Sequence, residues 1–371
     1  MGREQAETPS HAVQLVDMAK AKVEKENSHD LYAHKTGCAL CRMEVADLEG
    51  QGLAFGPVPS RRLGKSLGVN NIPAKTCSYA CVYCQLGNTT NMTTARQHFY
   101  KPADVSWEVE RKVAESASKR ESIDYVTFVA DGEPTLDLNL GKEISLLRRI
   151  GFPIAVLTNA SLILREGIKE DLFKADFISV KVDAVSEHLW RRINRPHKDL
   201  KVDRVLEGIS ELAKQYKGRL VSETMLIDKV GYGDEFERVA DFLRHLKRLS
   251  KAYIAVPTRP PAENWVEPAK ETTINTAFQI FSEKLGVERV EYLIGYEGNA
   301  FAFTGRVVDD LLSIMAVHPM RTEAVNALLQ KANADWAVVE NLLSEGKLVE
   351  LKYGGSTYYM RGLPSRIRRN A

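Results

Sequence analysis

Cysteine is scarce in this chain: there are five in 371 residues, an odd number, and no stretch reads as a secretory signal. These absences exclude a disulfide-stapled scaffold and lead to the expectation of a cytoplasmic protein whose thiols stay reduced. Long apolar runs are missing too. None approaches the roughly 18 residues a membrane-spanning helix needs, so no membrane partner is expected. A surplus of one charge is also lacking, since 51 Lys and Arg stand against 49 Asp and Glu. A formal net charge of +2 neither demands nor excludes a nucleic acid partner. The length suits one large domain of about 200 to 250 residues and a smaller one.

Three of the five cysteines fall within eight residues, Cys77-Ser78-Tyr79-Ala80-Cys81-Val82-Tyr83-Cys84, in the spacing Cx3Cx2C. Three thiolates on one tight loop suit a [4Fe–4S] cluster, because each reaches a different iron and the fourth iron keeps no protein ligand. Structural zinc is the competing reading. Zinc prefers four protein ligands from matched CxxC pairs, whereas Cys38 and Cys41 lie in a distant polar segment with a different spacing. The motif resembles that of the radical S-adenosylmethionine (SAM) superfamily. The resemblance implies that the methionine amino and carboxylate groups of SAM take the open iron and that one electron cleaves the sulfonium to a 5′-deoxyadenosyl radical. It also implies a cofactor contact at Tyr83 and a low-potential electron donor, a ferredoxin or flavodoxin.

Residues 1–52 form a polar N-terminal extension, and residues 53–305 alternate short apolar runs with amphipathic segments. The runs 125–130, 154–157, 177–182, 220–227 and 253–256 are brief and β-branched, which predicts buried strands. The segments 107–119, 140–149, 168–173, 202–216, 235–246 and 273–284 predict helices between them. Strand alternating with helix predicts an α/β fold with parallel strands. About six such units match the partial (β/α)6 barrel that the resemblance implies, with function at the carboxyl ends of the strands. Residues 306–371 change texture: helical segments 308–316, 322–332 and 336–343 precede a hairpin around Gly354-Gly355, and a basic tail follows. This pattern resembles a winged-helix domain. The helix that a DNA reader would insert into a groove, 335–343, carries Asp335 and Glu340 with Glu345 nearby, which phosphates repel, so sequence-specific reading of duplex DNA is not expected. Lys352, Tyr353, Tyr358, Tyr359 and Arg361 on the hairpin could instead stack on a single strand or a peptide.

Polar residues gather at the predicted strand ends, in Asp131-Gly132-Glu133-Pro134, Thr158-Asn159-Ala160 and Val182-Asp183-Ala184. The superfamily resemblance implies that Gly132 and Glu133 bind the methionine ammonium of SAM, as a cation in a partly dry site needs a paired anion. Asn159 is a further cofactor candidate. On the fourth strand Ser179, Lys181 and Asp183 alternate with apolar neighbours, so a period of two puts them on one inward face. The resemblance implies Ser179 near the SAM ribose and Lys181 or Asp183 facing the substrate as catalytic groups; the competing reading is an internal Lys–Asp ion pair. Arg61, Arg62 and Arg259 are candidates for the barrel mouth, since guanidinium groups grip carboxylate or phosphate bidentately.

Gly-Glu-Pro at 132–134, Thr-Asn-Ala at 158–160, Val-Asp-Ala at 182–184 and Ile-Asn-Arg-Pro at 193–196 resemble the wybutosine-synthesis branch, which acts on a tRNA guanine. That branch carries three further upstream cysteines where this chain has Cys38 and Cys41, which with His29 and His34 form a candidate second metal site. Three functions follow: a radical SAM enzyme acting on a tRNA base or nucleoside, one modifying a polypeptide docked by the winged helix, or a non-catalytic electron relay.

Overall fold

The computed structural model describes residues 52–129 and 131–362. Ala54–Ser60 (β1) and Gly64–Val69 (β2) pair antiparallel. An excursion follows, containing the two-residue strands Thr76–Cys77 (β3) and Asn91–Met92 (β4) and the helix Pro102–Ser118 (α1). The main sheet then continues through Tyr125–Phe128 (β5), Ile154–Thr158 (β6), Phe177–Lys181 (β7), Arg219–Met225 (β8), Leu249–Ala255 (β9) and Val290–Leu293 (β10). Leu140–Leu147 (α2), Ile168–Leu172 (α3), Glu187–Asn194 (α4), Val202–Gln215 (α5), Glu235–Arg244 (α6) and Glu271–Leu285 (α7) lie between them. The strand order β1-β2-β5-β6-β7-β8-β9-β10, parallel from β2 onward, makes a curled half-barrel, which is the partial barrel that the alternation predicts. No helix among the described residues is long and apolar enough to cross a membrane.

Each central strand is buried on both faces, and the pleat sorts its residues. Ile154, Val156, Ile178 and Val180 face the helices in the large core, where α5 presents Val205, Ile209 and Leu212 along one stripe. Burying each such side chain contributes roughly 1.5–3 kcal/mol. Ala155, Phe177, Val221, Tyr253 and Ala255 form a smaller cluster on the other face. Along β7 that inner face runs from Phe177 through Ser179 to Lys181, so the interior turns from apolar to polar towards the carboxyl ends.

The structure adds strands that the pattern does not show. β1, Ala-Phe-Gly-Pro-Val-Pro-Ser, escapes the strand pattern because it holds two prolines and a glycine, yet an edge strand tolerates missing donors. β10 is only four residues long and follows a charged segment. The helix predicted from 107 begins at Pro102, since proline suits a first turn whose N–H groups have no partner.

Beyond the sheet come Val307–Val317 (α8), Met320–Arg321 (β11), Thr322–Ala332 (α9), Ala337–Ser344 (α10), Leu348–Tyr353 (β12) and Ser356–Arg361 (β13), with the small sheet ordered β11-β13-β12. Leu311, Ile314, Met315, Val325 and Leu328 share a second core with Phe55 and Val58, so β1 belongs to both. The hairpin differs from expectation: Tyr358 and Tyr359 are buried, and the hydroxyls of Tyr353 and Tyr358 donate to Pro257 O at 3.2 Å and Thr258 O at 2.8 Å. These side chains tie the hairpin to the half-barrel and take Tyr358 and Tyr359 out of reach of a stacking ligand, whereas Lys352 is exposed and Tyr353 and Arg361 are half-buried.

Two buried polar clusters stabilise the seams. Lys112 Nζ of α1 donates to Asp310 Oδ1 at 3.0 Å and Thr304 Oγ1 at 2.8 Å, and Thr304 N donates to Asp310 Oδ2 at 2.8 Å. Removing the carboxylate leaves a buried ammonium with only Thr304 and the more distant Glu115, at 3.5 Å. We expect Asp310→Ala to lower stability by about 3–5 kcal/mol, read from chemical unfolding. Beneath the turn after β5, the carboxyls of Asp137 and Glu143 are both fully buried. Burial pushes the Glu143 carboxyl up, and the neighbouring Asp137 charge pushes it further, so Glu143 keeps its proton at neutral pH. A carboxyl raised on folding contributes stability below its ordinary value of 4.5 and loses it as pH rises through the folded value. Glu143→Gln copies the protonated form, so its stability is expected to fall less than wild type between mildly acidic and alkaline pH in urea titrations; parallel declines would contradict the assignment.

Candidate functional site

The cysteine loop has almost no regular structure of its own and is braced from neighbouring strand ends. On one side Lys75 N donates to Asp131 O at 2.7 Å and Glu133 N to Thr76 O at 3.2 Å. Gly132 sits between these bonds, where a Cβ would lie 1.7 Å from Thr76 O, so only glycine permits the approach. On the other side the end of α4 supports the loop: Val82 N donates to Ile193 O at 2.9 Å, Ala80 N to Asn194 O at 3.1 Å, and His197 N to Ser78 O at 2.8 Å. That is the physical content of Ile-Asn-Arg-Pro, with Arg195 in the left-handed region at φ 43° to turn the chain.

Cys77, Cys81 and Cys84 line one cavity of about 360 Å³, together with Tyr83, Gly132, Glu133, Asn159, Ser179 and Lys181. Among the described residues no three His, Cys, Asp or Glu side chains converge as they would on a single ion. Three thiols from the Cx3Cx2C loop on one cavity suit a cluster with one iron per sulfur. Burial pushes the Cys77 thiol well up and the Cys81 thiol up to about 12, with Glu133 and Asp183 respectively adding to the effect. Thiolates here therefore need a cationic partner, which iron supplies. Cys38 and Cys41 lie outside the described residues.

Glu133 is the most constrained carboxylate in the cavity wall. Its Oε1 accepts from Thr135 N at 3.1 Å, Thr135 Oγ1 at 2.5 Å and Thr158 Oγ1 at 2.6 Å, and its Oε2 from Asn159 N at 2.7 Å. Burial still pushes its carboxyl up despite these donors. A cation arriving at this wall completes the compensation. Asn159 Nδ2 donates to Ser78 Oγ at 2.9 Å and lies 3.7 Å from Cys77 Sγ, linking the third strand end to the loop.

The predicted polar trio divides. Ser179 and Lys181 line the cavity, whereas Asp183 lies past the end of β7 and does not. Its Oδ1 accepts from Met225 N at 2.8 Å, and its Oδ2 accepts from Asn194 Nδ2 at 2.6 Å and from the Tyr83 hydroxyl. It orients Tyr83 from behind and does not face the cavity, because the chain turns at Val182 and the pleat no longer applies. The partner of Lys181 is Glu223 on β8, which also pairs with Arg62; Arg62 Nη1 reaches Ser179 Oγ at 3.3 Å. Burial alone would raise the Glu223 carboxyl, but Arg62 and Lys181 hold it down at about 2. Burial likewise opposes the Lys181 charge, and Glu223 and Asp183 more than offset it, so the amine stays protonated.

Sequence reasoning missed Glu223, although a glutamate within the strand Arg-Leu-Val-Ser-Glu-Thr-Met was a visible signal. Of the outer wall it named Arg61, Arg62 and Arg259, which line the cavity, but not their partners Gln85, Glu297 and His318. Arg259 Nη1 donates to Gln85 Oε1 at 2.5 Å, its Nη2 pairs with Glu297, and His318 Nε2 lies 2.8 Å from Glu297 Oε1. Arg61 donates to the carbonyls of Leu293 and Gly295. Burial and the nearby Arg61 bring the Arg259 guanidinium down to about 9, and burial with Arg259 pushes the His318 imidazole well down.

The chain matches the Radical SAM superfamily over residues 71–243. It is 47% identical over 315 residues to a UPF0026 protein of Methanocaldococcus jannaschii, covering 85% of this chain and 97% of that one. A UPF0026 protein of Helicobacter pylori is 28% identical over 84% of this chain and 98% of its own. The S-adenosylmethionine-dependent nucleotide dehydratase of Lacinutrix mariniflava is 26% identical over 50% of this chain and 37% of that protein. Among solved structures, Streptococcus suis SuiB bound to S-adenosylmethionine aligns at a TM-score of 0.46 and 15% identity, over 76% of this chain and 62% of that one. TYW1 with a lysine–pyruvate adduct aligns at a TM-score of 0.44 and 16% identity, over 71% of this chain and 89% of that one. The cofactors are a [4Fe–4S] cluster and SAM; the chain belongs to the UPF0026 family, and its residues 71–243 match the radical SAM superfamily.

Proposed function

We propose that this radical SAM enzyme abstracts hydrogen from a nucleoside or nucleotide unit, either free or as a tRNA base. When bound, the cluster held by Cys77, Cys81 and Cys84 supplies the electron that cleaves SAM reductively to a 5′-deoxyadenosyl radical. Gly132 and Glu133 bind the methionine ammonium, Tyr83 and Asn159 bound the cofactor end of the cavity, and Ser179 faces the ribose. A ferredoxin or flavodoxin is the fitting donor.

The observation that carries the substrate class is the charge of the remaining wall. With Glu133 given to the cofactor, Arg61, Arg62, Lys75, Lys181 and Arg259 line it against Asp131, Glu223 and Glu297, five cations to three anions. That surplus suits a ligand with phosphate or another anionic group. The likeness to a nucleotide dehydratase favours the same class. Lys181 acts in this reading as a cation facing the substrate. A lysine that condenses with a ketone must first lose its proton, and the two carboxylates oppose that loss. A lysine–pyruvate adduct of the kind described for TYW1 therefore finds no ready amine at Lys181.

We read residues 306–362 as a winged-helix-like unit whose role is to wall the cavity, to which Val317 and His318 contribute. With Tyr358 and Tyr359 buried, docking of a polypeptide on the hairpin is the weaker reading. An electron relay would have no use for the Glu133 cradle.

Anaerobic reconstitution with iron and sulfide, followed by SAM and dithionite, is expected to yield 5′-deoxyadenosine; a cubane-bearing protein that yields none sinks the enzymatic reading. Cys81→Ala should lose the cubane absorption, because a second iron loses its thiolate. Glu133→Ala should keep the cluster and weaken SAM binding by ~2–5 kcal/mol, read by equilibrium dialysis, and unaltered affinity would remove its assigned role. Nucleoside and nucleotide pools of a deletion strain should differ from wild type; identical pools would rule out the substrate class.

A further inference from the structure

Behind the cysteine loop, away from the cavity, lies a buried polar group that the cofactor assignments leave unused. Asn194, the last residue of α4, is 1% exposed. Its Nδ2 is 2.6 Å from Asp183 Oδ2, 3.3 Å from Tyr83 Oη and 3.5 Å from Cys81 Sγ. The orientation of the amide is fixed by chemistry. Asp183 is an acceptor at this position, so the amide must turn its NH2 towards it; the reversed amide would set a carbonyl oxygen against the carboxylate. Asp183 is itself held, because its other oxygen accepts from Met225 N at 2.8 Å on β8. One amide hydrogen therefore goes to Asp183, and the second points into the space shared by Cys81 Sγ and Tyr83 Oη. The Tyr83 hydroxyl spends its own proton on Asp183.

We propose that Asn194 raises the reduction potential of the cluster, through an amide N–H aimed at the Cys81 sulfur. A hydrogen bond to a cluster thiolate stabilises the extra negative charge of the reduced state, and hydrogen bonds to sulfur are among the determinants of such potentials. Asp183 contributes by holding the donor in place. Asn194 is a positioning residue, since it touches a cluster ligand and neither SAM nor substrate. The chain Met225, Asp183, Asn194, Cys81 connects β8 to the loop, so the strand that carries Glu223 also positions the donor that tunes the cluster.

The inference rests on Cys77, Cys81 and Cys84 being cluster ligands, and the test separates the two. Full-length protein is reconstituted anaerobically, its iron and sulfide are measured, and the cluster is titrated with EPR detection. A wild-type protein that takes up no cluster defeats the ligand assignment. With clusters in both proteins, Asn194→Ala is expected to show a midpoint potential more negative than wild type, at unchanged iron content. An equal or more positive midpoint overturns the role of Asn194. If the alanine variant holds no cluster, pulsed EPR of reduced protein labelled with 15N only in asparagine decides the matter. A 15N coupling that persists in Asn159→Ala, which removes the other asparagine near a cluster sulfur, supports the proposal; its absence overturns it.

Discussion

The site depends on backbone hydrogen bonds that grip a loop too short and irregular to hold itself. Between Thr76 and Cys84 the chain must present three sulfurs to one cavity while satisfying its own N–H and C=O groups away from water. It does so by exchanging hydrogen bonds with its neighbours. Thr76 O accepts from Glu133 N in the turn after β5, and the carbonyls of Ile193 and Asn194 accept from Val82 N and Ala80 N on the far side. The close contact at Gly132 and the left-handed Arg195 are both consequences, since each lets a neighbouring segment approach the loop.

Around this grip the half-barrel sorts its interior by polarity. The inner face begins with apolar residues such as Phe177, Val221 and Tyr253 and ends with Ser179, Lys181 and Glu223. Charges brought into such a place must be compensated, and the fold supplies much of that compensation. Glu133 has its four donors, and Glu223 is held between Arg62 and Lys181. The same demand explains the outer wall, where Arg259, Glu297 and His318 meet at the junction with the C-terminal elements.

Those C-terminal elements complete the cavity and share the β1 edge. Phe55 and Val58 extend the second core into the half-barrel, the buried Lys112–Asp310 pair joins α1 to α8, and Gln85 Nε2 donates to Val317 O at 2.9 Å next to the cysteine loop. Hairpin tyrosines that looked free in the sequence are part of this junction. A tyrosine in an amphipathic hairpin reads the same whether its face meets water or another wall of the protein, so the difference lies beyond local pattern.

The sequence by itself determined the chemistry of the cysteine loop, the alternation that builds the half-barrel, and the placement of Glu133, Asn159, Ser179 and Lys181 at strand ends. Spacing and period are local properties, and local residues decide them. Tertiary structure alone decided the partners. It gave Lys181 to Glu223 and not to Asp183, turned Asp183 behind Tyr83, brought Asn194 to Cys81 across 113 positions, and added His318 to a wall begun by Arg61. Pairing among distant charges and amides depends on how strands twist and where loops return, and no window of neighbouring residues contains that information.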